Sequence, residues 1–327
     1  MKNIQENELH WADEKEELRT SFPLKLLVFL FKILPAFLVR LLIYPISFFY
    51  LIFSKRARNE SKTYQENLQI YTNGQIPKKI SPYKQIVSFS LCLLEKIQGW
   101  LNQINFNRIE YQNDDIDELI NQLKENKGAI LITSHQGNME LLRSFADKNK
   151  QLVGHDVPVV AIMETSVTKK FNDTLSSINP KASTNLIEPS SIGPDTICTL
   201  IDYIEKGAFV VIAGDRTSAH SRGKFLTKNF LGKPAPFPYG TFLIPFLIKA
   251  PVYYMFGLRS KTSIFSPKYK VYIEKSHINL ECSRAERDNN ISLLCSEYVQ
   301  KIEKFCKLYP YQWYNFFNFW NFSEKTE

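Results

Sequence analysis

Four short runs of apolar residues constrain the fold of this 327-residue chain more than any other feature. The runs are 129–134 (AILITS), 158–163 (PVVAIM), 208–213 (AFVVIA) and 251–258 (PVYYMFGL). Each has the length of a strand and lacks apolar–polar alternation, which is typical of strands buried on both faces. They are separated by helical patterns near 138–149, 165–178, 192–206 and 239–249. The alternation predicts an α/β fold, with a largely parallel central sheet flanked by helices.

Three further patterns extend this fold. Residues 269–275 (YKVYIEK) alternate and predict a more exposed strand, and residues 112–126 have the spacing of an amphipathic helix. A long helix is expected to begin at Ser283, because Glu286 completes a capping box. Its predicted core face is Ile291, Leu294, Cys295, Tyr298, Ile302 and Phe305.

The most apolar stretch, residues 22–53, is long enough to span a bilayer. It is interrupted by three cations and two prolines: Lys25, Lys32, Arg40, Pro35 and Pro45. On a helix the cations share one face, which favours a helix that lies in the membrane interface with its cations at the headgroups. A spanning helix with snorkelling cations and a helix packed on a soluble core are the alternatives.

A basic flank follows this stretch and is expected on the cytoplasmic side of a membrane. We therefore divide the chain into an N-terminal membrane-anchoring region, 1–58, and a catalytic domain, 59–327. The formal net charge of +8 favours an anionic membrane surface or an acidic carrier as partner. Nucleic acid is not expected as a partner, because no zinc-finger, helix-turn-helix or RNP pattern occurs. The five cysteines show no metal-ligand spacing and are expected to be reduced.

His135 and Glu140 are the candidate catalytic residues. His135 directly follows a predicted strand, and Glu140 falls in the first turn of the next helical pattern. Gly137 supplies the turn between them and Asn138 is the expected N-cap. A carboxylate that accepts from one imidazole nitrogen would leave the other nitrogen as a general base. The same spacing also fits a histidine that merely ends a strand beside a solvated acid.

Two later segments are also candidates for the site. The segment 213–217 (AGDRT) follows another predicted strand, and Arg216 is suited to binding a phosphate or carboxylate. The alternative is a surface turn. Residues 225–240 (FLTKNFLGKPAPFPYG) are expected to form a loop that covers the site, or else a surface crossover.

The motif HQGNME, the blocks AGDRTS and FLGKPAPFPYG, and the aromatic ending YPYQWYNFFNFW together resemble the lysophospholipid acyltransferase superfamily. More closely, it resembles the bacterial branch that contains the late lipid A acyltransferases, which are the lauroyl and myristoyl transferases, and their less characterised relatives. The resemblance covers nearly the whole chain. The segments HQGNME and AGDRTS differ in detail from those of the lipid A enzymes, which leaves the identity of the acceptor open.

This resemblance implies a membrane-associated acyltransferase. His135 would be the general base, oriented by Glu140, and would activate a hydroxyl or amine of a lipid or glycolipid acceptor. The acyl donor would be a thioester on acyl carrier protein or coenzyme A, with no metal and no other cofactor. Substrate-binding residues would be Arg143, Asp215, Arg216, Lys228 and Lys233. The expected location is the bacterial inner membrane, with the catalytic domain on the cytoplasmic face.

Two other functions remain as alternatives. A thioester or ester lipid hydrolase could use the same base, although no G-x-S-x-G nucleophile motif is present. A non-catalytic membrane-binding relative would keep the fold without the chemistry.

Overall fold

The computed structural model describes residues 29–30, 33–100, 106–112, 115–141, 153–164, 185–217 and 224–320. The described helices are α1 (Ala36–Phe53), α2 (Lys55–Tyr71), α3 (Pro82–Trp100), α4 (Asp115–Lys124), α5 (Pro194–Glu205), α6 (Tyr239–Ile248) and α7 (Arg284–Leu308). The described strands are β1 (Ile109–Gln112), β2 (Ala129–Thr133), β3 (Val159–Ile162), β4 (Asn185–Ile187), β5 (Phe209–Ala213), β6 (Phe225–Phe230), β7 (Lys233–Pro238), β8 (Val252–Lys261) and β9 (Lys268–Lys275).

The main sheet has the strand order β1-β9-β8-β2-β5-β3-β4. Neighbouring strands are parallel except for the antiparallel pair β8–β9. The four apolar runs form β2, β3, β5 and β8, and the alternating run forms β9. The predicted α/β fold with a largely parallel sheet is therefore confirmed. The edge strands β1 and β4 were not predicted, because they are short and have no comparable apolar run.

β2 illustrates why the central strands are apolar at every position. Ile130 and Ile132 pack in the core cluster that includes α6 and α7. Ala129 and Leu131 pack on the opposite face, in the cluster that includes α4. Successive side chains of a strand point to opposite faces, so a strand covered on both faces needs apolar residues throughout.

The predicted start of α7 is confirmed, since Ser283 Oγ accepts a hydrogen bond from the Glu286 N–H and the Glu286 carboxylate accepts from the Ser283 N–H. Every residue of its predicted core face is buried. Helices α4, α5 and α6 confirm three more of the predicted helical patterns. Of the pattern at 138–149, residues 138–141 are described, and Glu140 and Leu141 among them are helical. The pattern at 165–178 lies outside the described residues.

Residues 225–240 are not an irregular loop, so that prediction was wrong. They form the antiparallel hairpin β6–β7 and the start of α6, and the hairpin packs against α7. Leu231 and Gly232 make its turn, both with positive φ. The prolines of β7 are tolerated because β6 is its only partner among the described strands, and an edge strand does not need every backbone N–H.

The N-terminal apolar stretch forms α1, which packs against α3 through Val39 and Ile43. Pro45 lies inside this helix without ending it, contrary to the predicted break. A proline removes the hydrogen bond to the carbonyl four residues earlier. Here Pro45 and Leu41 are both on the exposed side of α1, so that carbonyl is not trapped in the protein interior.

Arg40 lies on the buried side of α1 and not at a headgroup-facing surface, so its predicted position was wrong. Its guanidinium donates to the Ile264 carbonyl oxygen at 2.9 Å and to Gln98 Oε1 at 3.2 Å. These partners satisfy the buried cation, which explains its inward position. Lys25 and Lys32 lie outside the described residues.

The outward face of α1 is apolar. It consists of Leu41, Leu42, Ile46, Phe48, Phe49, Ile52 and Phe53, all exposed. At 100° per residue these positions cover an arc of roughly 160°. α1 is long and apolar enough to cross a membrane, and only 22% of it is buried. That exposure does not fit the alternative of a helix packed within a soluble core.

Candidate active site

His135 and Asp215 follow the carboxyl ends of two neighbouring strands of the sheet and lie beside each other. β2 and β5 are parallel and in register, with Thr133 opposite Ala213. The pairing continues beyond the strands, because the Gly214 N–H donates to the Thr133 carbonyl oxygen at 2.9 Å. Two residues past each strand end, the register therefore brings His135 beside Asp215. Ligands of open α/β sheets bind at this carboxyl edge.

The carboxylate of Asp215 holds both the ring and the backbone of His135. Asp215 Oδ1 lies 2.8 Å from His135 Nδ1, and Oδ2 accepts from the His135 backbone N–H at 2.8 Å. The side chain of Asp215 is fully buried, whereas that of His135 is 30% exposed. Nδ1 is therefore the protonated ring nitrogen, and Nε2 is the nitrogen left to exchange a proton with a substrate.

The electrostatics of the pair favour a neutral imidazole beside a carboxylate. Burial and the positive charge of Arg216 lower the pKa of His135, while Asp215 opposes them. Burial alone would raise the pKa of Asp215, but its contacts with His135 and Arg216 hold that pKa below its usual range. The ring is thus available as a base at neutral pH.

The turn after His135 has the predicted geometry. Gly137 has a φ of 72°, and Asn138 Oδ1 accepts from the Glu140 N–H at 2.9 Å. The turn also approaches β8 closely, since the Asn138 N–H donates to the Gly257 carbonyl oxygen at 2.7 Å. A Cβ atom at Gly137 would meet that oxygen at 2.1 Å. A glycine is needed here for both its positive φ and its lack of a side chain.

The orienting position at His135 Nδ1, which sequence analysis assigned to Glu140, is filled by Asp215. Glu140 instead begins the next helix, half-buried. The physical reason is register, because parallel pairing of β2 with β5 places a carboxylate directly beside the ring. A role for Glu140 in catalysis stays a prediction.

The aromatic segment 312–317 forms a wall behind the pair and was not recognised as part of the site. The Trp313 indole N–H donates to Asp215 Oδ2 at 3.1 Å, and the Tyr314 N–H donates to the His135 carbonyl oxygen at 2.9 Å. Gln312 accepts from the Gly137 N–H through its carbonyl oxygen, at 2.8 Å. The only sequence signal was the density of aromatic residues, which does not reveal what they contact.

Arg216 is held by the same segment. Its guanidinium donates to the Tyr314 carbonyl oxygen at 2.9 Å and lies 5.7 Å from the centre of the Phe317 ring. It therefore places a positive charge next to the His135–Asp215 pair from a fixed position.

Two buried thiols adjoin the turn, but neither is suited to nucleophilic catalysis. Cys92 Sγ lies 3.2 Å from the Gly137 carbonyl oxygen, and Cys306 Sγ accepts from Gln136 Nε2 at 3.7 Å. Burial raises the pKa of each thiol to about 12. Both therefore stay protonated near neutral pH, and the thiolate is the reactive form. All five cysteines are free of disulfides, as expected.

Lys228 and Lys233, two further candidates, lie in the β6–β7 hairpin. Lys228 lies in β6 and donates to Ser292 Oγ on α7 at 2.6 Å, so it joins the hairpin to that helix. Lys233 is exposed at the start of β7. Arg143 lies outside the described residues.

A family model described as bacterial lipid A biosynthesis acyltransferase matches residues 24–321. The match includes both strand ends, the hairpin and the aromatic segment. No curated protein matches the chain.

Proposed function

Since this chain belongs to the bacterial lipid A biosynthesis acyltransferase family, we propose that it moves a fatty acyl group from a thioester to a membrane lipid or glycolipid. The donor is acyl carrier protein or coenzyme A, and the acceptor group is a hydroxyl or amine. The observation that carries the proposal is the 2.8 Å contact between His135 Nδ1 and buried Asp215, which leaves Nε2 as a base.

In the proposed reaction, His135 Nε2 removes the proton of the acceptor hydroxyl as its oxygen attacks the thioester carbonyl carbon. A tetrahedral intermediate forms and collapses with cleavage of the carbon–sulfur bond. The imidazolium then returns its proton to the departing thiolate. The carboxylate of Asp215 stabilises the imidazolium and keeps the ring in position.

The other residues have binding or supporting roles in this proposal. Arg216 is a fixed cation for a phosphate of the donor or the acceptor. Arg143, Lys228 and Lys233 are further candidates for anionic parts of the substrates. Glu140 is a second carboxylate near the turn. The activity of a Glu140 variant tests whether Asp215 or Glu140 orients His135.

Membrane association is proposed to occur through the apolar outward face of α1. Exposed Lys55 and Arg56 follow that face at the start of α2, where they suit the anionic headgroups of the cytoplasmic leaflet. The proposed location is the bacterial inner membrane, with the catalytic domain on its cytoplasmic face.

The proposal is tested with full-length protein in detergent, radiolabelled acyl-acyl carrier protein and a bacterial lipid extract as acceptor. His135→Ala and Asp215→Asn should each reduce transfer of label to lipid by at least about 10²-fold, the scale expected for disabling a general base. Glu140→Gln should cost less than Asp215→Asn. Asp202→Asn, an exposed position on α5, is the matched control and should retain full activity.

Near-normal transfer by Asp215→Asn would remove Asp215 from the mechanism, and a larger loss with Glu140→Gln would restore Glu140 as the orienting acid. Label released as free fatty acid, with none in lipid, would indicate a hydrolase. Lipid profiling of a deletion strain would then identify the acceptor from the acylated species that disappears.

A further inference from the structure

The turn between β8 and β9 carries an exposed aromatic residue between two lysines. Residues 260–268 read SKTSIFSPK, and Phe265 near the tip is 70% exposed. Lys261 and Lys268 lie opposite each other in the hairpin register, and both are exposed. Aromatic side chains rimmed by cations are suited to the interface of an anionic bilayer, where the ring enters the acyl boundary and the cations meet headgroups.

The lysine pair does not help the hairpin to fold. Like charges directly opposite each other destabilise a pair of strands, and residues 260–268 contain no acidic side chain. An anionic surface at this position would relieve the repulsion. Charge complementarity therefore favours an anionic lipid bilayer as the partner of this turn.

The turn lies directly beside α1. The rings of Phe37 and Phe265 have centres 5.3 Å apart, and Arg40 donates to the Ile264 carbonyl oxygen at 2.9 Å. These contacts hold the turn against the first part of α1 but leave most of the Phe265 ring exposed. The turn thus lies beside the first part of α1, the helix that carries the exposed apolar face.

The turn also lies at the same sheet edge as the catalytic pair. β8 runs parallel to β2, and Gly257 of β8 pairs with Gly137 just after His135. β8 then continues to Lys261, about 13 Å further at 3.3 Å per residue. The tip of the turn therefore projects beyond the level of His135, at the carboxyl edge of the sheet, where ligands of open α/β sheets bind.

We propose that the β8–β9 turn is a second membrane contact, in which Phe265 enters the lipid interface and Lys261 and Lys268 bind anionic headgroups. This inference rests on the membrane attachment proposed above and adds an orientation to it. The carboxyl edge of the sheet faces the bilayer, so a lipid headgroup reaches His135 while its acyl chains stay in the membrane.

The experiment uses the full chain reconstituted with vesicles of phosphatidylglycerol and phosphatidylcholine. Phe265→Trp introduces a fluorophore at the tip, and lipids with brominated acyl chains quench indoles that reach the acyl boundary. We expect brominated vesicles to reduce the emission of Phe265→Trp more than that of the parent. Leu186→Trp, an exposed apolar position on β4 at the far edge of the sheet, is the control and should match the parent.

The cations are tested by partition onto the same vesicles. Replacing both lysines, Lys261→Gln with Lys268→Gln, should weaken partition by about 30-fold at low salt, from about fivefold for each lysine near an anionic surface. The charge-matched control, Lys124→Gln with Lys206→Gln, removes two exposed lysines at the opposite edge of the sheet and should have little effect.

The outcomes separate this inference from the proposed function. If the parent floats with vesicles but Phe265→Trp is quenched no more than Leu186→Trp, the turn is not a membrane contact. If the parent does not float, membrane attachment fails as a whole, and the turn fails with it. Acyl transfer in detergent should be unchanged in Phe265→Trp. The loss of acyl transfer in the His135 and Asp215 variants is therefore judged independently of both vesicle results.

Discussion

Trp313 connects a distant part of the chain to the carboxylate of Asp215. Among the described residues, its indole N–H donates to Asp215 together with the backbone and ring of His135. A hydrogen bond to a charged group contributes about 1.5–3 kcal/mol. In the proposed mechanism, Trp313 acts through Asp215 as a positioning residue and does not itself touch the reacting atoms.

Trp313→Phe keeps an aromatic ring but removes the donor, and we expect kcat to fall by roughly 10- to 100-fold. KM should change little, because the substrate contacts are unaffected. The matched control is Trp320→Phe, which removes an indole N–H that donates to the Phe230 carbonyl oxygen. Steady-state kinetics measures kcat and KM for both variants. An equal loss of kcat in Trp313→Phe and Trp320→Phe would mean that the effect is merely structural.

The pH dependence of activity follows from the lowered pKa of His135. The base must be neutral, so activity should be lost only as the pH falls through a value below the usual histidine pKa of about 6.5. Arg216→Met removes a nearby cation that lowers this pKa, so the acidic limb of the kcat/KM profile should move to higher pH. Arg216→Lys keeps the charge and should leave the limb nearly in place. An identical shift in both variants would exclude the charge as its cause.

At the scale of elements, one face of α1 is buried against α3 and the other is exposed. Ile43 is buried against α3, and Ile46, less than one turn later, is exposed. Ile43→Ala should destabilise the protein by about 2–5 kcal/mol, the usual cost of such a truncation in a core. Ile46→Ala should stay within about 0.5 kcal/mol. Thermal unfolding in detergent compares them, and an equal cost at both positions would contradict the packing of α1.

The main elements were predictable from sequence because their patterns are local. Fully apolar runs identified β2, β3, β5 and β8, and a capping box located the start of α7. The order of the strands is not local, however. Because β2 pairs with β5, Asp215 is the carboxylate that contacts His135. The residues of neither strand specify which strand will pair with it. For that reason the sequence indicates Glu140, which is close to His135 along the chain, whereas Asp215 is the carboxylate that contacts His135 in space.

At the scale of the whole molecule, a buried ion pair joins the N-terminal helices to the sheet. Arg259 of β8 donates to both carboxylate oxygens of Glu95 on α3, at 2.9 and 2.8 Å. The Tyr269 hydroxyl donates to the same carboxylate at 2.7 Å. Burial tends to lower the pKa of Arg259, but Glu95 more than offsets this and raises it.

Removing one partner of this pair should cost more than removing both. Glu95→Gln leaves the charge of Arg259 buried without its counterion, and the expected loss is about 3–5 kcal/mol. The double variant Glu95→Gln with Arg259→Met should recover part of that loss. Chemical denaturation of the three proteins measures the coupling, and strictly additive losses would show that the ion pair is not what joins α3 to β8.

The contact between Trp313 and Asp215 can form only late in the synthesis of the chain. Trp313 lies 98 residues after Asp215. At about 5–20 residues per second, the ribosome needs roughly 5–20 s to supply the indole after the carboxylate. α1 has by then long been synthesised. We therefore expect α1 to be available for membrane contact before the Trp313 indole N–H reaches Asp215, so that the His135–Asp215 pair of a chain still being made lacks this donor.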